Sequence, residues 1–464
     1  MSIYTKIASR LLFPLHEQFK GHHTRAILRE LEASQWQSAE QLQAQQLSRL
    51  RSLLTSVSVS VPYYHDFFRS KRLQPGEFRS LDDLAQLPVA DKTLIRAHMG
   101  EWRAAGTERL SRHSTSGSSG EPLHFLLSKR RISFDIAAKW RATRWWDVDI
   151  GDREMVLWGS SLETSAQDRI REIRDRLLRS RLVPARDLNA QRIDEILYEI
   201  RRFRPRMLFG YPSVLARIAM HARERQQKMD GLGIRVAFCT SEVLRPEWRS
   251  LISGTFGCNV ANEYGARDAG LIARECPHGG LHITAEEVVV EIVDEAGHSL
   301  PSGIEGDILV TNLSGPEFPF IRYRTGDRGI MSSHRCACGR GLPLLESVSG
   351  RANDGLIARD GSWVHGSAIN HVLREIPGLL SYQVVKDSAT EVTILLCLEQ
   401  PLGEEGAIRL VHHTKRLLGS EVIVSVQCVA EIPPEANGKF RHIICRVDHP
   451  IAQSTTSPIL EAQS

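Results

Sequence analysis

The stretch RIDEILYEIRRFRPRMLFGYPSVLARIAMHARERQQKMDGLGIRVAFCTSE, residues Arg192–Glu242, alternates two kinds of pattern. The amphipathic helical segment RIDEILYEIRRF is followed by the short apolar run MLFG, a second helical segment PSVLARIAMHARERQQ, and a second apolar run in IRVAFCTSE. Short buried strands separated by helices of this length predict a mostly parallel sheet with helices on its faces. The pattern begins at MVLWG, residues 155–159. Upstream, residues 23–55 read as Leu-, Glu-, Gln- and Arg-rich helices that end at VPYYHDFF, where Pro62 stops the helical period. Downstream of about residue 280 the period changes to two, in LHITAEEVVVEIVDEAG with a hairpin turn at Asp294 to Gly297, and in GDILVTNL. A β-rich subdomain is therefore expected after the α/β body. SGRANDGLIARDGSWV, residues 349–364, reads as a joint, and about 90 residues of alternating helix and strand beyond it suffice for a small α+β domain. The polar tail from residue 447 is expected to be disordered.

At 464 residues the chain is too long for one compact core. Its 59 basic and 55 acidic residues are mixed along the chain, so the formal charge of +4 does not imply nucleic acid binding. No stretch has the ~18 apolar residues of a membrane span. MSIYTKIASRLLFPLHEQFK is amphipathic and basic, which suits a helix docked on its own domain or one lying on a membrane surface. Eight cysteines without regular spacing are not a secreted disulfide framework, and a reducing cytoplasm is expected. Cys239, Cys258, Cys397, Cys445 and Cys428 lie in or beside apolar runs and read as small buried hydrophobes.

The remaining three thiols, with a histidine, carry a metal pattern. ECPHGGLHI places Cys276 six positions before His282, and HRCACGRG supplies Cys336 and Cys338. Three thiolates and one imidazole from two loops suit a closed tetrahedral zinc site, with His278 and His334 as competing ligands. A polyphosphate loop is the second candidate. Ser114, Thr115, Ser116, Gly117, Ser118, Ser119 and Gly120 offer backbone N–H groups, small side chains and hydroxyls, as a phosphate cradle needs. The same composition also describes a linker. The stretch lacks the Lys-Ser or Lys-Thr of a Walker loop and the preceding strand of a dinucleotide fingerprint.

NEYGARDAG (262–270), IRYRTGDRG (321–329), SGRANDG (349–355) and NGKFRHI (437–443) follow that loop in order. With them the chain, from about Trp36 to Arg446, resembles the adenylate-forming superfamily of acyl-CoA synthetases, in its phenylacetate-CoA ligase branch with the relatives found near capsule and exopolysaccharide genes. The resemblance implies a large N-terminal domain, with helical residues 1–95 and a core over 96–350, and a mobile α+β domain over 351–446. It implies ATP-dependent activation of a carboxylic acid with magnesium, followed by transfer to CoA. The Ser114–Gly120 loop would hold the β- and γ-phosphates, Asp327 the ribose, and Tyr264, Ser241 and Glu242 the adenine, beside Glu263 and Gly265. Asp268 stands where the family has a glutamate for magnesium, Arg267 where it has a threonine, and Glu121 where it has a loop lysine. Lys439 would bridge the attacking carboxylate and the α-phosphate, Arg351 would approach the phosphates, and Asn353 or Asp354 would be the hinge. Phe209, Gly210, Tyr211, Pro212 and Ala237 would line the acyl pocket. Many members of the resembled branch carry the same C-x5-H and C-x-C pair, so the resemblance implies a structural zinc site at Cys276, His282, Cys336 and Cys338. A non-CoA acceptor (amine, hydroxyl or carrier-protein thiol) and a non-catalytic nucleotide-binding scaffold are the competing readings.

Overall fold

The computed structural model describes residues 2–107, 110–115, 123–158, 168–185, 188–244, 246–350, 355–365, 369, 372–373, 376–398, 400, 402–430, 432 and 443–447. Ser116–Gly120, Arg351, Asn353, Asp354 and Lys439 lie outside them, as do Glu121 and the polar tail from residue 448.

The parallel sheet expected from Arg192–Glu242 is present. Strands β3 (Glu154–Trp158), β4 (Ser180–Pro184), β5 (Met207–Gly210), β6 (Val236–Thr240) and β7 (Asn259–Ala266) pair in parallel in the order β4-β3-β5-β6-β7. Helices α9 (Ala190–Phe203), α10 (Pro212–Glu224) and α11 (Pro246–Phe256) cover one face. Their apolar stripes meet Met155, Leu157, Leu208, Ala237 and Cys239 in one core. The opposite face holds Met207, Val236, Phe238, Ala261 and Trp146, as the two-residue strand period requires.

The strands after residue 269 continue this sheet. Among the described residues it has eleven strands, and β8 (Gly270–Glu275), β9 (Leu281–Ile283), β10 (Val288–Val293), β11 (Glu305–Asn312), β12 (Tyr323–Met331) and β13 (Leu344–Gly350) extend it antiparallel from β7 in the order β8-β9-β13-β12-β11-β10. Helices α3 (Thr24–Ser34), α4 (Ala39–Ser60) and α5 (Pro62–Lys71) pack beside this half, and Leu50, Leu54, Tyr64 and Trp102 share its core with Ile272, Val288, Val310 and Tyr323. Pro62 does end a helix, and its fixed φ also starts the next one at α5.

Helix α7 (Lys129–Arg144) crosses the junction of the two halves. Two of its arginines are buried there, each facing one glutamate of the turn before β10: Arg131 Nε lies 3.1 Å from Glu287 Oε1, and Arg141 Nη1 lies 2.6 Å from Glu286 Oε1. Burial, with Asp135 nearby, pushes the Glu287 carboxyl up, while Arg131 opposes the shift.

Residues from 356 onward have their own core, built from Leu356, Tyr382, Val384, Ile394, Leu410 and Ile443. Its sheet has the order β18-β17-β16-β19, with β16 (Leu379–Lys386), β17 (Glu391–Leu398), β18 (Ile423–Cys428) and β19 (Ile443–Cys445), backed by α12 (Glu404–Leu418). The pair β14 (Gly355–Ile357) and β15 (Trp363–His365) precedes it. The expected burial of all five cysteines needs correction: Cys239 and Cys258 are buried, Cys397 and Cys445 are partly exposed, and Cys428 is exposed. Cys428 ends β18, an edge strand whose other apolar residues are also partly open, as Ile423 shows.

Candidate functional site

The carboxyl ends of β3, β5, β6 and β7 lie side by side, with Leu157 opposite Gly210, Gly210 opposite Cys239, and Thr240 opposite Glu263. In an open α/β sheet this edge is where ligands bind, because the loops leaving it splay apart. Tyr211, Ser241 and Arg267 follow directly on β5, β6 and β7 at this edge, and Tyr264 is among the last residues of β7. Ser241 takes φ +68, a left-handed conformation that L-residues avoid without a local reason, and it is exposed.

Asp327 comes to the same edge from β12. The Tyr264 hydroxyl donates to Asp327 Oδ2 at 3.0 Å and lies 3.3 Å from Thr325 Oγ1, while the Asp327 amide donates to Thr325 Oγ1 at 3.1 Å. Asp268 is buried. Its Oδ2 accepts from the Tyr323 hydroxyl at 2.6 Å and its Oδ1 from the Ala269 amide at 3.0 Å. Each oxygen keeps a second lone pair. Arg267 is exposed and lies close enough to His113 to lower that imidazole's pKa, after the larger effect of burial.

His113 belongs to a hairpin formed by β1 (Ser111–Ser114) and β2 (His124–Leu127). Thr115 closes its base, its amide donating to Leu123 O and its hydroxyl accepting from the Leu123 amide, both at 3.0 Å. Ser116–Gly120, outside the described residues, fall in sequence between these two strands. Phe125 of that hairpin packs on Phe320, which packs on Tyr323, so one aromatic chain ties the hairpin to the Asp268 partner. Sequence reasoning missed Tyr323 and Thr325. They precede Asp327 by four and two residues on one strand, whose register with β11 shifts between Arg324 and Arg328, so a simple two-residue period does not predict that the three come together.

The expected acyl-pocket residues separate by face. Phe209 stacks on Trp158 with centroids 6.3 Å apart and interplanar angle 6°, and Tyr211 tilts against the same indole at 4.6 Å. Arg274 lies over Phe238 at 4.6 Å and is ion-paired with Glu263, so Glu263 turns its charge into the sheet. Burial lowers the Arg274 pKa to about 9. Gly210 packs so closely that a Cβ would come 2.5 Å from Leu157 O, and Ala237 sits in the helix-covered core. Pro212 opens α10 at its first turn.

The ligand atoms of Cys276, His282, Cys336 and Cys338 all lie within 4.8 Å of one another. Cys276 and Cys336 sulfurs are 3.5 Å apart, and Cys338 Sγ lies 3.2 Å from His282 Nε2. Edges of about 3.3–3.8 Å are those of a tetrahedron of sulfur and nitrogen around zinc. His282 Nδ1 faces Leu342 O at 3.4 Å, a second contact that leaves Nε2 turned to the thiols. Burial holds the Cys276 thiol at about 12 and lowers His282 to about 4, so the imidazole is in its neutral, ligating form. At Gly280 a Cβ would sit 2.7 Å from Cys336 Sγ and 3.2 Å from His282 Nε2, so the cluster leaves no room for a side chain. His278 is exposed and outside the cluster. The knot also docks the N-terminal helices: the Gly341 amide donates to Gln35 O at 2.9 Å, and Arg340 lies over Trp36 and Trp145 at 4.9 and 4.6 Å.

A mixed sheet with hydroxyl, aromatic and carboxylate groups converging at the carboxyl ends of its parallel strands defines the class, an α/β fold with its site at a strand edge. The chain belongs to the AMP-binding enzyme family, whose model matches residues 11–314, while residues 356–446 match the CapK C-terminal domain. The phenylacetate-coenzyme A ligase of Thermus thermophilus is 27% identical over 360 residues, covering 75% of this chain and 78% of its own. Protein CapK of Staphylococcus aureus is 21% identical over 410 residues, covering 86% and 88%. Among solved structures, a 2-hydroxyisobutyryl-CoA ligase with 2-HIB-AMP and CoA in the thioesterification state superposes with TM-score 0.64 at 19% identity, covering 89% of this chain and 91% of that one. That last likeness shows the shared fold.

Proposed function

We propose that the protein activates a carboxylic acid with ATP and passes the acyl group to CoA. The carrying observation is the Tyr264–Thr325–Asp327 cluster at the strand edge, within a chain that belongs to the AMP-binding enzymes. One oxygen of the acid attacks the α-phosphorus, the bond from that phosphorus to the β-phosphate bridge breaks, and acyl-AMP and pyrophosphate result. The thiolate of CoA then attacks the acyl carbon, and AMP leaves with the bonding pair.

Asp327 accepts the two ribose hydroxyls on its carboxylate, held in place by Tyr264 and Thr325. Tyr264 offers a ring face to adenine, with Ser241 and Glu242 opposite. The hairpin closed at Thr115 presents its serines and glycines to the leaving phosphates. Lys439 supplies a positive charge to oxygens that gain charge in the transition state, and Arg351 aids it at the phosphates. The remaining lone pairs of Asp268 fit a magnesium ion reached through water, which would neutralise phosphate charge. Asn353 or Asp354 serves as the hinge that carries Lys439 in and out. Phe209, Tyr211 and Trp158 form aromatic walls suited to a flat acid.

Zinc at Cys276, His282, Cys336 and Cys338 fits the thiol and imidazole donors as a structural staple with no ligand position left for substrate. The competing reading keeps adenylation but passes the acyl group to an amine, hydroxyl or carrier thiol. All eight cysteines are unpaired, which supports a reducing compartment. No helix among the described residues is long and apolar enough to cross a membrane.

Pyrophosphate release from ATP across aromatic, hydroxy and fatty acids, with and without CoA, tests the reading. Release with one acid should fall by orders of magnitude in Lys439→Ala. Dependence of thioester formation on CoA separates the two acceptors. ATP binding without release for any acid would favour a scaffold instead.

A further inference from the structure

The N-terminal segment is docked by one face and open on the other. It runs as α1 (Ile3–Ile7), a π-helical turn (Ala8–Leu12) and α2 (Phe13–Lys20). Its inner face is fixed: Thr5 donates to Asp152 at 2.8 Å, Ala8 packs so tightly that Gly151 could carry no Cβ, and Phe13 meets Trp140 edge-on at 6.5 Å. The Tyr4 hydroxyl donates to Leu177 O at 2.9 Å, joining the segment to α8 (Asp168–Leu178).

The outer face carries Ile3, Ile7, Leu11, Leu15 and Phe19, all exposed, with Ile3 at 80% and Phe19 at 92%. In a regular α-helix a four-residue step overshoots a full turn by roughly 40°, so such a row would wind around the axis. The π-helical turn rotates less per residue and pulls the row back at its middle. Ile173 and Leu177 of α8 are exposed as well and widen the patch. Clustered exposure of this kind marks an interaction surface.

Charge selects the partner. Lys6, Arg10 and Lys20 are exposed along the segment, Lys129 abuts its end at Gly21, and Arg176 is exposed on α8. The one acidic residue of the segment, Glu17, is buried against His16, His22 and Thr24. On α8, Asp175 is paired with Arg174. An apolar row flanked by cations, on a helix too polar to span a bilayer, matches an anionic lipid surface.

We propose that this face, Ile3–Phe19 with Ile173 and Leu177, seats the protein on anionic membranes. The test is cosedimentation of the full chain with vesicles of phosphatidylcholine and phosphatidylglycerol (70:30), against phosphatidylcholine alone. Binding at least tenfold tighter to the anionic vesicles, weakening with salt, is expected. Lys6→Gln with Arg10→Gln should cut it roughly 30-fold, at about 1 kcal/mol per cation. Leu11→Gln with Phe19→Gln should cut it at least tenfold, with an unchanged melting temperature. No binding to anionic vesicles, or binding that neither pair alters, would overturn the proposal. So would a lipid-free dimer that Leu11→Gln with Phe19→Gln converts to monomer, which would assign the face to a second copy.

Discussion

The two polar clusters are built on different strands of one sheet. Tyr264, Thr325 and Asp327 come from β7 and β12, with Thr325 buried and the other two part-buried, and face a strand edge; Cys276, His282, Cys336 and Cys338 lie in or beside β8, β9 and β13 and turn inward on one another. The first set is made of hard oxygen donors and acceptors. The second commits all its soft donors to one point. The difference teaches that a cluster open to solvent should register in ligand affinity, whereas a closed one should register in stability.

Breaking the open cluster should have the largest effect. On the proposed role of Asp327 as the ribose acceptor, Asp327→Ala should remove two hydrogen bonds to a charged group, at about 1.5–3 kcal/mol each, so kcat/KM for ATP should fall roughly 10²–10⁴-fold. The melting temperature should stay within about 2 °C, as scanning calorimetry would check. The closed cluster should behave in reverse: Cys336→Ser with Cys338→Ser should release one zinc per chain, measured by elemental analysis, and lower the melting temperature by about 5–10 °C. Its KM for ATP below the transition should change less than about twofold. Equal loss of ATP affinity in both variants would erase the contrast.

Finer substitutions sharpen it. Tyr264→Phe keeps the ring and loses the hydroxyl that holds Asp327, so KM for ATP should rise about 5–10-fold. Gly280→Ala keeps all four ligand residues but puts a methyl 2.7 Å from Cys336 Sγ, which forces the cluster to shift, so zinc should be lost faster to a chelator while KM stays constant. At the small end, Arg217 and Asp360 form an exposed pair at 3.5 Å between α10 and the residues following β14; Asp360→Ala should shift stability by less than about 0.5 kcal/mol in urea unfolding.

The parallel half was legible because Arg192–Glu242 writes each strand and helix locally. The antiparallel half was legible as strands, but its attachment to the same sheet was not. β9 lies between β8 and β13, and β13 pairs with β12, so the order depends on partners more than 60 residues apart that no local pattern encodes. The sequence and its resemblance singled out Cys276, His282, Cys336 and Cys338, with His278 as the competing ligand, and the fold buries His282 beside the thiols while His278 is exposed. Asp327 was legible from its motif, while Tyr323 and Thr325, four and two positions before it, were overlooked because the register shift in this part of β12 is not written in the local pattern. Cys428 was misread because an apolar run does not reveal that its strand lies at an edge.

The central claim is attack of a carboxylate oxygen on the α-phosphorus, and oxygen transfer tests it most directly. An acid that supports pyrophosphate release would be supplied with both carboxylate oxygens as ¹⁸O, and the products read by mass spectrometry. One ¹⁸O in the phosphate of AMP is the predicted result. The label in inorganic phosphate, or unlabelled AMP, would contradict it.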